Sequence, residues 1–395
     1  MRFLRIKRYK FAYDFYDNRS IYPFYKKITN KTNGEIYVNN KTEINNDLKH
    51  AIHIVTLINP YYQIGMNDSK PIFKALRFDQ HKGFMAQLTE FKSVEQYMLA
   101  KMSSKSRTKI RGYIRRLETC FTISYKMYYG EISKIDYDFL FKNFRTFLSK
   151  RFEQRGDDHE AFSRWDTIQN AAYKMILNKT ASLFVIYNED RPIDICLNYH
   201  HQNIIDNAIR SYDIDYSKFR LGYIDIYKQL EWCFGNGVEI FDLSIGDFDY
   251  KRKWCNVEYD FENHIIFDRN KFLKRITAHL ILSIYLLKGF LKDRNLHLHF
   301  NKIKNLFILN EKPKGNLENV STEIEVLNQF PKMEGITVID FLDEKYIHLR
   351  KTIYDFQYNN SEHSKNLSVF KMNNHNTIFL VKGLNNTIKI IQKST

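Results

Sequence analysis

The stretch FDLSIGDFDYKRKW, residues 241–254, decides the fold, because an apolar run breaks there into carboxylates and a glycine and then turns basic. The apolar run predicts a buried strand that delivers Asp242 near its carboxyl end. Gly246 offers a position where the backbone can turn sharply without a side chain in the way. The turn then returns Tyr250 and Lys251 toward the same edge of the predicted sheet.

The segments before this stretch predict an α/β unit. Residues 182–213 alternate as three strands separated by turns, which is typical of an antiparallel meander. Residues 221–237 predict a helix that ends at two glycines, and a strand follows it directly. Further helices are predicted at 93–119, in two pieces, and at 136–153 and 161–178, and strands at 51–58 and 83–88.

Composition favours a folded protein with an anionic partner. The 395 residues are 44% apolar and 15% aromatic, which is typical of a globular chain long enough for two domains. Lys and Arg outnumber Asp and Glu by 61 to 45, a net charge of +16. This excess favours contact with a phosphorylated cofactor, a nucleic acid or a lipid surface, without selecting among them.

Several other classes of protein are disfavoured. The four cysteines form no Cys-x-x-Cys pair, so neither a disulfide framework nor a zinc site is indicated. The pairs His200-His201 and His297/His299 lack carboxylate or cysteine partners at ligand spacing, and no metal is expected. No Gly-x-Ser-x-Gly elbow or Walker sequence supports a hydrolase or a nucleotide triphosphatase.

Nothing in the sequence predicts secretion or a spanning helix. The basic start MRFLRIKRYKFAYDFY contains no uninterrupted apolar core, so a cytoplasmic location is expected. The most apolar segment, 276–290, is flanked by basic residues. It predicts either a core helix with charged ends, which the base rate favours, or a helix lying on the inner face of an anionic membrane.

Four motifs between residues 91 and 254 carry a family resemblance. In chain order they are Ser106 with Lys109, Arg111 and Arg115-Arg116-Leu117-Glu118; Arg151-Phe152 with Arg155-Gly156; the run from Tyr212-Asp213 to Phe219-Arg220-Leu221-Gly222; and Asp242 with Gly246 and Tyr250-Lys251. With them the chain resembles the GNAT-like acyltransferases of the CelD type, found among cell-surface polysaccharide genes and related to the Fem-type peptidyltransferases. The last motif is the most specific.

The resemblance implies an α/β (α+β) fold of two tandem GNAT-like halves. The expected units are a degenerate first half at 1–145, an acyltransferase half at 146–270, an apolar and basic helix at 271–309, and a small β-rich appendage at 319–395. A linker with a proline and a glycine is expected around residues 310–318.

A turn that opens the helix at 221 is the expected cofactor site. Such a turn presents unpaired backbone N–H groups and the positive end of the helix, which suit a pyrophosphate, although a common strand-to-helix turn also needs a glycine there. The resemblance favours the pyrophosphate of an acyl-CoA co-substrate. The implied cofactor-binding residues are Lys218, Phe219, Arg220, Leu221, Gly222 and Tyr223. Ile224 stands where many GNAT proteins have a second glycine.

The basic segment 105–116 carries six Lys or Arg residues, and Arg107 and Arg111 share a helical face. It predicts either a solvated helix face or a wall that binds an anion. The expected substrate-binding residues are Arg107, Arg111, Arg155, Arg210 and Tyr212.

Acyl transfer needs a group that takes a proton from the nucleophile and one that returns a proton to sulfur. Asp242 and Asp247, with Asp249, are the candidate bases, and Tyr250 and Lys251 the candidate acids or oxyanion partners. The alternative is structural: Asp242 caps a turn and Lys251 pairs with it.

The expected function is therefore transfer of an acyl group, first of all acetyl, from acetyl-CoA or another acyl-CoA. The acceptor is an amine or hydroxyl of a cell-envelope polysaccharide sugar or its precursor, in the cytoplasm. Two alternatives stay open: a Fem-like aminoacyltransferase using aminoacyl-tRNA, the only nucleic acid expected as a partner, and a non-enzymatic basic protein that binds membranes or polyanions.

Overall fold

A computed structural model describes residues 5–18, 20–39, 46–67, 72–156, 160–294, 321–331, 335–373, 375 and 377–393. The linker expected around residues 310–318, and His297 and His299, lie outside these residues. The predicted mixture of helices and strands is confirmed.

The described residues form seventeen strands and ten α-helices. The strands are β1 (Arg5–Lys10), β2 (Tyr25–Asn30), β3 (Ile36–Val38), β4 (Ala51–Ile58), β5 (Tyr62–Met66), β6 (Phe73–Gln87), β7 (Ile123–Tyr128), β8 (Ala181–Asn188), β9 (Arg191–His201), β10 (Ile204–Tyr212), β11 (Ile240–Ile245), β12 (Val257–Asp268), β13 (Ser321–Leu327), β14 (Ile336–Ile339), β15 (Ser368–Met372), β16 (Ile378–Lys382) and β17 (Thr387–Lys393). The helices are α1 (Phe11–Asn18), α2 (Asn46–Lys49), α3 (Val94–Lys101), α4 (Ser104–Cys120), α5 (Lys134–Arg155), α6 (Trp165–Leu177), α7 (Leu221–Gly235), α8 (Asp249–Trp254), α9 (Phe272–Asp293) and α10 (Arg350–Asn360).

One nine-stranded sheet organises the larger part of the chain. Its strand order is β1-β4-β12-β6-β11-β10-β9-β8-β7, in which β1 and β4, and β10 and β11, run parallel and the other neighbours antiparallel. Strand β12 lies between β4 and β6, so the two predicted halves contribute strands to one sheet. The division at residue 145 stays a prediction.

Alternate strand residues face opposite layers of helices. Ile204 and Ile240 pack in the core that contains α1, α5 and α6, whereas their neighbours Ile205 and Phe241 pack with α3 and α7. Helix α9 covers the latter face farther along the sheet, over β6 and β12. The small sheet β3-β2-β5 adds Tyr25, Ile28 and Tyr62 to the first core.

The C-terminal residues form a separate antiparallel sheet with the order β13-β17-β16-β15-β14. A β-rich appendage was expected in this part of the chain, whereas α10 was not. Helix α10 packs on the 3-10 helix Ile214–Phe219, which leads into α7, and Tyr354 lies in one core cluster with Phe121 and Phe219. The appendage therefore supports the segment that opens α7.

Arg350 is the buried charge at this contact. Its guanidinium lies 2.9 Å from Asp215 and 3.8 Å from Asp213, and all three side chains are less than one-fifth exposed. Burial and the neighbouring Asp213 raise the pKa of Asp215, and Arg350 opposes that rise. Removing Arg350 would leave two buried carboxylates without their cation.

We therefore predict that Arg350→Ala lowers the free energy of unfolding by about 3 kcal/mol, the usual cost of breaking one side of a buried ion pair. Lys351→Ala is the matched control, because Lys351 pairs with Asp355 at the surface one residue farther on. It should cost less than about 0.5 kcal/mol. Urea unfolding followed by circular dichroism measures both, and equal losses in the two variants would contradict the role given to Arg350.

Candidate active site

Two aspartates lie side by side at the centre of the nine-stranded sheet. Strands β10 and β11 pair in parallel over three positions, Ile204 with Ile240, Ile205 with Phe241 and Asp206 with Asp242. Each strand therefore reads apolar, apolar, aspartate in the same register. Asp206 is 2% and Asp242 0% exposed.

The two strands separate immediately after this pair. Strand β10 shifts register against β9 between Asn207 and Ile209, and β11 shifts against β6 between Asp242 and Ile245. Ser244 has a φ of 59° and Gly246 one of 116°. A Cβ at Gly246 would lie 2.7 Å from the Phe248 ring, so the turn requires glycine.

A cavity of about 600 Å³ opens where the strands separate. Its walls come from α1, α5, the residues leading into α6, β10 and the segment 243–251. The polar and charged residues that line it are Tyr13, Tyr16, Arg151, Arg155, Arg164, Tyr199, Asp206, Asn207, Arg210, Ser244, Tyr250 and Lys251. Its volume suits a ligand of small-molecule size.

Hydrogen bonds hold Asp242 from both sides. The Tyr259 hydroxyl donates to Oδ2 at 2.7 Å and lies 2.9 Å from Oδ1, which also accepts the Ser244 backbone N–H at 2.7 Å. The Asn59 amide and the Tyr61 hydroxyl donate to Oδ2 at 3.2 and 3.1 Å. Burial raises the pKa of Asp242, and these donors oppose the rise. Asp242 is thus a fixed group with its oxygens occupied.

Asp206 is held less tightly. Its Oδ2 is buried and has no hydrogen-bond partner within the part of the chain that the structure describes. Burial and the neighbouring Asp242 raise the pKa of Asp206 well above its usual range, and Lys251 opposes them. A carboxylate with a raised pKa and an unoccupied oxygen at a cavity wall is suited to accept a proton from a ligand.

Lys251 supplies the positive charge beside this pair. Its Nζ donates to the carbonyls of Ser244 and Ile245, at 3.2 and 2.5 Å, and only 4% of the residue is exposed. Burial lowers the pKa of Lys251 to about 8, although Asp242 favours the charged form. The expected pairing with Asp242 is thus electrostatic, since the ammonium bonds to the turn.

Arg210 joins the cavity to the first turn of α7. Its Nη2 lies 2.5 Å from both oxygens of Asp225 and donates to the Gly222 carbonyl at 2.6 Å. Its guanidinium lies 5.5 Å from the centre of the Tyr250 ring. Burial raises the pKa of Tyr250, and Arg210 opposes the rise.

The predicted cofactor-binding residues form one continuous turn beside the cavity and do not line it. Arg220 has a φ of 61° where the 3-10 helix passes into α7, and Phe219 and Leu221 are buried. The ammonium of Lys218 lies 5.6 Å from the Tyr358 ring of the appendage. Tyr223 is half-buried near Trp254.

Further predicted site residues also do not line the cavity. Arg111 forms an ion pair with Glu95 of α3, and Arg107 donates to the Met102 carbonyl at 2.5 Å. The exposed Asp247 pairs with Arg252 at 2.6 Å. Of the other predicted substrate-binding residues, Arg155 and Arg210 line the cavity, while the Tyr212 ring lies 5.1 Å from the Arg151 guanidinium. The roles predicted for all of these residues stay predictions.

One buried cluster has the side chains of a metal site. Ligand atoms of Asp194, Cys196 and Asp225 lie within 4.8 Å of one another. Burial raises the pKa of Asp194 well above its usual range, as does Asp225, and the guanidinium of Arg210 opposes both. Arg210 thus already supplies the positive charge in this cluster, and the expectation of no metal stays a prediction.

Sequence reasoning missed Asp206, Arg151 and Arg164. A signal for Asp206 was present, since Ile204-Ile205-Asp206 repeats the pattern of Ile240-Phe241-Asp242. Recognising it requires the register of two strands that are 36 residues apart in the chain. Arg151 stood in a noted motif, but no role was given to it.

The lowered pKa of Lys251 makes the free energy of unfolding depend on pH. The pKa is about 8 in the folded protein, against 10.5 for an ordinary lysine, so the unfolded chain binds this proton more tightly. Stability therefore rises with pH between these values. We predict that wild type gains about 2 kcal/mol in free energy of unfolding relative to Lys251→Met between pH 7 and pH 9.5.

Urea unfolding at the two pH values measures this difference. Lys253→Met, on the exposed side of the same helix, is the matched control, and its difference from wild type should stay constant. A pH-independent difference for Lys251→Met would contradict the lowered pKa.

Comparison with known proteins relates the middle of the chain to a known type of domain. Residues 104–252 match the family model described as an acetyltransferase (GNAT) domain, a segment that begins in α4 and ends in α8. No curated protein matches the sequence.

Similar solved structures are distant. They include FemX, with 11% identity over 53% of this chain and 69% of that chain and a TM-score of 0.39. L-PGS from Bacillus licheniformis has 14% identity over 62% of this chain and 74% of that chain, with a TM-score of 0.38. The C-terminal domain of a putative lysylphosphatidylglycerol synthetase from Agrobacterium fabrum has 10% identity over 55% of this chain and 68% of that chain, with a TM-score of 0.38. TM-scores this low support no inference about activity. The family match confirms the predicted α/β fold with a GNAT-like part. The likeness to the CelD type stays a prediction. The chain contains a GNAT acetyltransferase-type domain.

Proposed function

We propose that this protein is an acyltransferase that moves an acyl group, acetyl first of all, from acyl-CoA to an amine or hydroxyl of a cell-envelope sugar or its precursor. The observation that carries the proposal is Asp206. It is a buried carboxylate of the GNAT-type segment, and its Oδ2 accepts no hydrogen bond from the described residues. It lies beside a second aspartate, where two parallel strands separate at a cavity.

The gap between β10 and β11 suits the thioester arm of the donor. Beyond Asp206 and Asp242 the two strands no longer pair with each other, so backbone groups along their facing edges can bond an extended amide chain. The first turn of α7 is joined to the cavity by Arg210, and its backbone N–H groups would bind the donor's pyrophosphate in this proposal.

The reaction then proceeds by direct attack in a ternary complex. Asp206 takes the proton from the acceptor's amine or hydroxyl as its nitrogen or oxygen bonds to the thioester carbon. The resulting tetrahedral intermediate collapses, the carbon–sulfur bond breaks, and the thiolate receives a proton from Lys251 or Tyr250. The lowered pKa of Lys251, about 8, makes it an effective acid near neutral pH.

The far wall of the cavity suits an anionic sugar. Arg151, Arg155 and Arg164 bring guanidinium groups to it, and Tyr13, Tyr16 and Tyr199 bring aromatic rings. The Arg164 guanidinium lies 3.9 Å from the centre of the Tyr13 ring, which fixes a cation against an aromatic surface. Arginine forks bind carboxylate or phosphate, and aromatic faces pack on sugar rings.

The net charge of +16 also favours a polyanionic donor, so aminoacyl-tRNA is the second candidate. The two donors differ in what must bind. A protein that uses aminoacyl-tRNA would bind tRNA tightly at moderate salt and would not bind acetyl-CoA.

We predict that acetyl-CoA binds saturably at moderate salt and that Gly222→Trp weakens binding at least about tenfold, because the indole would fill the turn that receives the pyrophosphate. Gly235→Trp, at the opposite end of the same helix, is the matched control, since a side chain at Gly235 meets no atom within 4 Å. Isothermal titration calorimetry measures all three proteins. Binding that ignores the Gly222 substitution would reject this donor site.

We predict that Asp206→Asn lowers the rate of thiol release from acetyl-CoA, in the presence of a panel of amino sugars, by about 10²- to 10⁴-fold. The amide keeps the shape of the side chain and cannot take the proton. Asp190→Asn is the control, because Asp190 is exposed in the turn between β8 and β9, outside the cavity, and should change the rate less than about twofold. Retained activity in Asp206→Asn would remove it as the base, and no turnover in wild type with any acceptor would favour the non-enzymatic alternative.

A further inference from the structure

Helix α9 is apolar on two opposite faces. Ala278, Ile281 and Tyr285 face the sheet, where they pack with Ile52 and Phe267. A helix needs only one such face to join a core. The second apolar face of α9 therefore has another cause.

The second face is a continuous stripe in solvent. Leu273, Ile276, Leu280, Ile284 and Leu287 are spaced by three and four residues, and each is between 43% and 72% exposed. Phe272, Leu286 and Phe290 widen the stripe, at 72%, 54% and 50% exposed. Eight of the twenty large apolar side chains that are exposed among the described residues thus lie on one helix. A patch of this kind marks an interaction surface.

Most charged residues around the stripe are cations. Lys271, Arg275, Lys288 and Arg294 are exposed along the helix, and Asp293 is the one acidic residue between 271 and 294. Two more exposed cations, Arg8 of β1 and Lys74 of β6, stand two strand positions from Ile6 and Leu76, which pack against α9. An apolar stripe bordered by cations is complementary to a surface that is apolar within and anionic outside.

We infer that α9 lies in the plane of an anionic lipid bilayer, with its outer stripe in the boundary between headgroups and acyl chains and its cations on the phosphates. At about 1.5 Å per residue the helix presents roughly 33 Å of contact. Among the described residues, no helix combines the length and apolarity needed to cross a membrane, so the contact is a surface one.

This inference does not rest on the proposed function. No residue of α9 lines the cavity, and α9 lies on the sheet face opposite α1, α5 and α6. The membrane contact can therefore fail while the acyltransferase stands, and the reverse also holds.

Vesicle flotation of the full chain tests the contact. We expect the protein to float with vesicles of phosphatidylcholine containing 30% phosphatidylglycerol and to remain at the bottom with phosphatidylcholine alone. Leu280→Glu/Ile284→Glu should reduce binding to the anionic vesicles at least about tenfold, since it places two carboxylates in the stripe. The control Ile135→Glu/Phe139→Glu makes the same change, with the same spacing, at exposed positions of α5 and should bind as wild type does.

Three results would overturn the inference. They are absence of wild-type flotation with both vesicles, equal flotation with both, and unchanged binding of the α9 variant. Analytical ultracentrifugation without lipid measures the oligomeric state and so tests whether a second copy of the chain covers the stripe. A wild-type dimer that the α9 substitutions dissociate, together with no flotation, would assign the stripe to a second copy. A monomer without flotation would reject both the membrane and a second copy as the occupant of the stripe. If the α9 variant fails to fold, the flotation of wild type with the two vesicle types alone tests the membrane contact.

Discussion

The structure depends on two carboxylates that lie next to each other inside a protein. Asp206 and Asp242 occupy paired positions on parallel strands and are both excluded from water. Ionising two neighbouring carboxyl groups in such surroundings costs a large free energy, so each needs either a proton or compensating hydrogen-bond donors. Asp242 accepts hydrogen bonds from these donors, and Lys251 supplies a positive charge nearby, whereas Asp206 Oδ2 accepts no hydrogen bond from the described residues. The different roles proposed for the two aspartates rest on this difference.

The side chains that donate hydrogen bonds to Asp242 come from several parts of the nine-stranded sheet. Asn59 and Tyr61 follow β4, and Tyr259 lies on β12, which enters the sheet between β4 and β6. The three side chains that donate to Asp242 therefore lie outside the matched segment 104–252. A GNAT-type segment cut from this chain would expose Asp242 without its partners. The C-terminal appendage acts similarly on the other side, because α10 braces the 3-10 helix that opens α7.

Local patterns in the sequence predicted the elements well, and long-range pairing limited the prediction of the site. The apolar run 51–58 is strand β4 with the same bounds, and the meander of β8, β9 and β10 follows from alternation and turn residues. The turn at Gly246 and the return of Lys251 to the cavity also follow from local chemistry. The partner of Arg111 could not be predicted, since Glu95 belongs to another helix. Asp206 was missed for the same reason, because its role arises from strand register.

The most direct test of the account is a crystal structure of the protein with desulfo-coenzyme A and a sugar acceptor analogue. We predict that the pantetheine arm lies between β10 and β11, with its end beside Asp206 and Lys251, and that the coenzyme's pyrophosphate lies on the first turn of α7. An acceptor hydroxyl or amine should lie within hydrogen-bonding distance of Asp206 Oδ2. Coenzyme bound elsewhere, with the gap between the two strands empty, would contradict it.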